Sequence, residues 1–245
     1  MGGLTAAIRH LIIINVLFFI ATMLYGDQMY QLFSLWFPEN QNFRWWQVLS
    51  HMFMHGGLMH ILFNMYALWA FGTPLERAWG RNKFLFFYFS AGIGAALIHT
   101  AANYYFFNDG LTAIVNTGID KSQVMDIITK GQYSPEWYKA TSQSTVDSFL
   151  SAFNTPAVGA SGAVYGVLVA FAFMYPRAEL MLIFLPIPIK AKYFVPILIL
   201  GDIIFGFSNV STGIAHFAHI GGALIGFIMM WYWKKNEFNN KRWDN

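Results

Sequence analysis

The sequence predicts an all-α membrane protein, a bundle of six transmembrane helices with one extramembrane insertion between the third and the fourth. Three observations predict it. Of 245 residues, 56% are hydrophobic and only 11% charged. Several apolar runs approach the ~20 residues that a helix needs to cross a bilayer. One long stretch, 108–155, is polar and interrupts them. The absence of cysteine excludes disulfides, thiol catalysis and thiolate metal sites. The formal net charge of +3 is spread along the chain and gives nucleic-acid binding no support.

The first span is expected over 8–25, with Arg9 and His10 at its start. It lacks a small-residue cleavage site, so it reads as a retained span rather than a signal peptide. Residues 26–50 mix Leu32, Phe33, Trp36, Phe37, Trp45 and Trp46 with Glu39, Gln41 and Arg44. That mixture suits a loop lying on the membrane at headgroup level. The second span is expected over 51–71, ending at Gly72-Thr73-Pro74. Its first half carries His51, His55, His60 and Asn64, which predicts that it faces a watery interior rather than lipid. Positions 60 and 64 lie one turn apart on one face.

A basic connection containing Arg77, Arg81 and Lys83 leads to the third span, 84–107, whose aromatic stripe faces lipid or core. The insertion is expected to hold two short helices, one capped by Asp120 and one beginning Ser134-Pro135-Glu136. The fourth span starts at Ala157 and ends at Pro176. Residues 177–192, with Pro186 and Pro188, are expected along the interface; spans over 193–207 and 214–233 and a charged tail complete the chain. Six spans put both termini on one side. That side holds 11 of the Lys and Arg residues and the other 4, so the termini are expected in the cytoplasm.

In this topology Ser161, His219, His60 and Asn64 reach one depth from three distant segments. Ser161 stands between glycines in Gly159-Ala160-Ser161-Gly162 at the head of the fourth span. Its hydroxyl is accessible there, over the positive end of a helix dipole, a good setting for a nucleophile. His219 offers a base, while His60 and Asn64 could join the Ser161 backbone N–H as donors to an oxyanion. A serine between glycines, taken alone, more often serves helix packing. No carboxylate is obviously placed as a third member, so the expectation is a Ser-His dyad. Tyr165, one turn from Ser161, could hold the imidazole by stacking. Asp202, an acid inside the fifth span, is expected to bond a neighbouring helix. Gly159, Gly162 and Gly166 share a face of the fourth span, as do Ala215, His219, Gly222 and Gly226 of the sixth, predicting close helix approach.

Gly-x-Ser-Gly at 159–162, His219 followed by Gly222-x-x-x-Gly226, and His60-x-x-x-Asn64 resemble the rhomboid intramembrane serine proteases. The resemblance covers roughly residues 8–233. It implies a single rhomboid-like domain over 1–245, with 108–155 as an extracytoplasmic insertion. Ser161 would be nucleophile and His219 general base, with His60 and Asn64 as oxyanion-hole donors beside the Ser161 backbone. The implied reaction cleaves membrane-anchored proteins in or next to their transmembrane helix, without metal or cofactor. The partners are then transmembrane protein substrates and the lipid bilayer. Two stretches depart from the family pattern: Trp46 is followed by Gln47 where a Trp-Arg pair is usual, and the insertion is longer. The compact plan points to a prokaryotic plasma membrane. A metal site of His55, His60 and His219 lacks a His-Glu-x-x-His stretch, so no metal is expected. The competing readings are a non-catalytic rhomboid-like binder of transmembrane helices, which both dyad members argue against, and a small transporter, for which no internal repeat is found.

Overall fold

A computed structural model describes residues 3–182, 185–208 and 214–243. The ends of the expected 1–245 domain, residues 1–2 and 244–245, lie outside this range. So do 183–184, within the segment expected at the interface, and 209–213, before the sixth expected span. Helix α1 (Ala6–Tyr25) exposes Leu17, Met23 and Leu24 along its length, as a lipid-facing helix would. Its first turn lacks a local side-chain cap. Buried Glu76 supplies one from a distance, accepting from the N–H of Ala7 at 2.8 Å and of Ile8 at 3.0 Å, and from the Thr5 hydroxyl. A carboxylate at a helix N-terminus satisfies open N–H groups and meets the positive end of the dipole.

The loop after α1 contains α2 (Asp27–Phe33) and closes at α3 (Gln47–Ser50). Gln47 is fully buried and pins it. Its amide nitrogen donates to the carbonyls of Gln31 and Asn42, each at 2.9 Å, and its oxygen accepts from the Arg44 N–H at 3.1 Å. The glutamine that departs from the Trp-Arg pair thus ties the loop's two limbs itself. Continuous helix begins later than the expected residue 51. His51–Phe53 form a 3-10 turn, and α4 (Leu58–Ala67) starts after Gly56-Gly57. Thr73-Pro74 does not end it: a π turn over Leu68–Gly72 leads straight into α5 (Thr73–Trp79). Pro74 sits in that helix's first turn, where a missing N–H costs nothing.

Helix α6 (Arg81–Val115) is 35 residues long and runs past the expected end at 107 into the insertion. Among the described residues, α1 and α6 are long and apolar enough to cross a membrane, and a shorter apolar helix follows at Ser161–Met174. Three further helices build the insertion: α7 (Lys121–Thr129), α8 (Trp137–Ala140) and α9 (Gln143–Asn154). Asp120 caps α7, and its hydrogen bonds from Ser122 hold its carboxyl below the usual range. Ser142 caps α9, which the sequence reading missed. Phe107, Ile114, Val124, Trp137, Phe149 and Phe153 form a core that also takes in Phe37 of the first loop. The Asn40 side chain donates to the Phe153 carbonyl at 2.8 Å, a second tie between loop and insertion.

Helix α10 (Ser161–Met174) is largely buried. Where the segment 177–192 was expected to lie along the interface, the chain forms an antiparallel hairpin of β1 (Glu179–Leu182) and β2 (Leu185–Lys190), pairing Glu179 with Lys190. Helices α11 (Ala191–Gly206) and α12 (His216–Trp243) follow. Small residues set how closely α6, α10 and α12 meet. A Cβ on Gly162 would lie 2.5 Å from the Ala95 Cβ, one on Gly166 2.6 Å from the Ala91 Cβ, and one on Gly226 2.7 Å from the Gly166 Cα. The sequence reading found the α10 and α12 faces but not their α6 partners, Ala91 and Ala95. The expected aromatic stripe of α6 divides, with Phe84, Phe87 and Tyr88 fully buried and Phe86 exposed.

Candidate active site

Ser161 is the first residue of α10. The chain reaches it through a segment held on two sides. Ala157 pairs antiparallel with Leu35 of the first loop, and the Gly159 N–H donates to the His51 carbonyl at 3.0 Å. Gly159 has φ +127°, a conformation open to glycine, and a Cβ there would lie 2.9 Å from the His60 Nε2 and 3.4 Å from the Ser161 Oγ. The absence of a side chain at 159 therefore lets an imidazole and a hydroxyl flank the same small space.

The close packing of α10 on α12 brings His219 opposite Ser161, with His219 Nε2 2.9 Å from Ser161 Oγ. His219 Nδ1 lies 3.0 Å from the Asp202 Oδ1 of α11. The two contacts are satisfied together when the ring carries its proton on Nδ1, donating to Asp202 and accepting the Ser161 O–H at Nε2. His216 Nδ1 donates to the same Asp202 oxygen at 2.6 Å. Tyr165 stacks on the His219 ring, centroids 4.2 Å apart at 13°. The His219 side chain is 13% exposed and that of Asp202 7%, so the carboxylate is the more covered of the two.

His60, in the first turn of α4, accepts the Gly56 N–H on Nδ1 at 3.3 Å, which leaves Nε2 as the protonated nitrogen beside Gly159 and Ser161. Asn64 joins this group less directly. Its amide nitrogen donates to the His60 carbonyl at 2.9 Å, and its buried Oδ1 has no partner among the described residues. The His55 ring lies 5.1 Å from that of His60, and His51 Nδ1 bonds the Gln47 carbonyl, so both histidines brace the rim.

The structure thus gathers Ser161, His219, Tyr165 and His60 around one point, with Gly159, Gly162, Gly222 and Gly226 setting the approach. It also corrects the expectation that no carboxylate stands behind the histidine, since Asp202 does. An acid inside an apolar run was the available signal, but nothing in its spacing names His219 as partner. Among the described residues, the group able by donor type to hold a cation is Asp202, His216 and His219, whose ligand atoms lie within 4.8 Å of one another. A metal there would displace the Nδ1 protons that make the hydrogen bonds described above.

A family model described as Rhomboid domain matches residues 42–236. The chain is 28% identical over 210 residues to Rhomboid protease AarA of Providencia stuartii, an alignment covering 84% of this chain and 60% of that protein. It is 24% identical over 191 residues to Rhomboid protein 1, mitochondrial, of Saccharomyces cerevisiae, covering 77% of this chain and 42% of that one. Rhomboid protease GluP of Bacillus subtilis matches at 42% over 53 residues, which is 22% of this chain and 10% of that protein. The chain spans about half the length of the curated relatives it matches. Because mitochondrial and bacterial proteins both stand among them, they lend no support to the expectation of a prokaryotic plasma membrane. The matched domain takes in α10, most of α12 and the residues gathered around Ser161, and the chain belongs to the rhomboid family of intramembrane serine proteases.

Proposed function

We propose that the chain is an intramembrane serine endopeptidase that cleaves membrane-anchored proteins in or next to their transmembrane helix. The observation that carries this reading is the 2.9 Å contact between Ser161 Oγ and His219 Nε2, on helices held backbone to backbone in an apolar bundle. In this reading α1, α4 with α5, α6, α10, α11 and α12 are the six spans, both termini are cytoplasmic, and 108–155 lies outside within a single domain. A substrate helix enters laterally past α11, unwinds locally and presents a carbonyl at Ser161. The Ser161 oxygen bonds to the carbonyl carbon as its proton passes to His219 Nε2. The oxyanion takes hydrogen bonds from the Ser161 N–H and from His60 Nε2–H, with Asn64 a turn away. His219 then gives the proton to the leaving amine, and water hydrolyses the acyl-enzyme by the same steps in reverse.

The test is cleavage of a single-span substrate by the purified protein in liposomes, with labelling by an alkyl fluorophosphonate. Wild type should cut and label, while Ser161→Ala should do neither and His219→Ala should lose cleavage. Equal labelling of wild type and Ser161→Ala would refute the assignment.

A further inference from the structure

Asp202 is an acid on a helix that otherwise turns Ile197, Leu200, Ile203 and Ile204 outward. Its side chain instead points into the bundle, where two donors from α12, His219 and His216, converge on it. A tether between helices needs one such bond. Here the donors include the ring that faces Ser161, through the nitrogen opposite the one that contacts the serine.

We propose that Asp202 is a positioning residue of the serine protease site, fixing the tautomer and orientation of His219, with His216 holding the carboxylate in place. This rests on the serine protease reading and deepens it from a dyad to a triad carried by α10, α11 and α12. When the Ser161 proton moves to His219 Nε2, the ring becomes an imidazolium whose Nδ1–H stays on nitrogen and donates to the ionised Asp202. The same proton leaves from Nε2 to the amine product, so Asp202 neither gains nor loses one. His216, one turn before His219, donates to the same oxygen and prevents the carboxylate from turning toward any other donor. Tyr165 fixes the ring from its face.

The experiment compares full-length wild type with Asp202→Asn in liposomes, measuring kcat and KM for a single-span substrate, the rate of fluorophosphonate labelling, and the unfolding midpoint. An asparagine can offer N–H to His219 Nδ1 and so favour the wrong tautomer. The expected result is a fall in kcat of about 100-fold, with KM within about twofold and labelling slowed in parallel. A downfield proton resonance of His219 Nδ1–H is expected in wild type and should be lost in Asp202→Asn. A kcat within about threefold of wild type in a folded variant would reduce Asp202 to a helix tether and overturn the proposal. If Asp202→Asn does not fold, His216→Ala removes one support of the carboxylate while leaving the Asp202 to His219 bond. It should lower kcat by about three- to tenfold at constant KM, and an unchanged kcat overturns the proposal. If wild type itself neither cuts nor labels, the protease reading fails, and the resonance still reports separately on the Asp202 to His219 contact.

Discussion

A β-carbon on Gly222 would sit 1.8 Å from the carbonyl oxygen of Gly162, a backbone atom that cannot move aside without moving α10. Gly222→Val is therefore expected to force α10 and α12 apart and abolish cleavage, although residue 222 touches no reacting atom. Gly222→Ala should already cost about 1–3 kcal/mol or more by overpacking. Gly201→Ala on α11, where a Cβ meets nothing within 4 Å, is the control and should leave the unfolding midpoint unchanged or slightly raised. Thermal unfolding and cleavage assays on the three variants decide the matter.

His60 and Asn64 should separate in kinetics. His60 Nε2 faces the space beside Ser161 directly, so His60→Ala is expected to lower kcat by about 10²–10³, the usual cost of an oxyanion donor. Asn64 already spends one amide hydrogen on the His60 carbonyl. Asn64→Ala should cost less in kcat, and an equal loss in both would mean that Asn64 reaches the oxyanion with its second hydrogen.

Removing the remote cap of α1 should be felt across the bundle. Glu76→Ala leaves the N–H groups of Ala7 and Ile8 buried without an acceptor, at an expected cost of about 1–3 kcal/mol. Thr5→Ala removes one donor and keeps the cap, so its unfolding midpoint should fall by less.

The insertion should behave as part of the first loop's foundation. Phe149→Ala opens its core and is expected to destabilise by about 3–5 kcal/mol. Phe37→Ala, in the loop itself, should raise hydrogen exchange in α9 as well as in the loop, because Phe37 packs on Phe107 and Phe153. Exchange confined to the loop would mean that the two move independently.

The parts of the site that sequence made legible are those written as local pattern. Glycines around Ser161, glycines after His219 and a turn-spaced His60 and Asn64 are unusual in apolar helices, and each announces close approach or a polar interior. Asp202 was visible as an intramembrane acid but not as a partner of His219, because that pairing arises only when α11 lies against α12. Gln47 stands in the sequence only as a departure, since one residue cannot reveal which backbone groups fold around it. Boundaries failed for local reasons. Helix α6 continues beyond Phe107 because Gly110, Leu111 and Ile114 keep the buried face while Asn108 and Asp109 face outward. Thr73-Pro74 resembled a stop signal, yet the π turn before it resets the chain so that proline falls where a helix begins.

The contact between Gly162 and Gly222 also fixes how activity should fail on heating. Ser161 and His219 are spaced by main chain against main chain, a dimension that loosening side chains does not stretch. Warming can let rotamers hop throughout the bundle while the Ser161 to His219 separation holds, until α10 and α12 part altogether. Inactivation should then be abrupt and coincide with loss of the helix pair, rather than fade ahead of it as in sites assembled from side-chain packing alone.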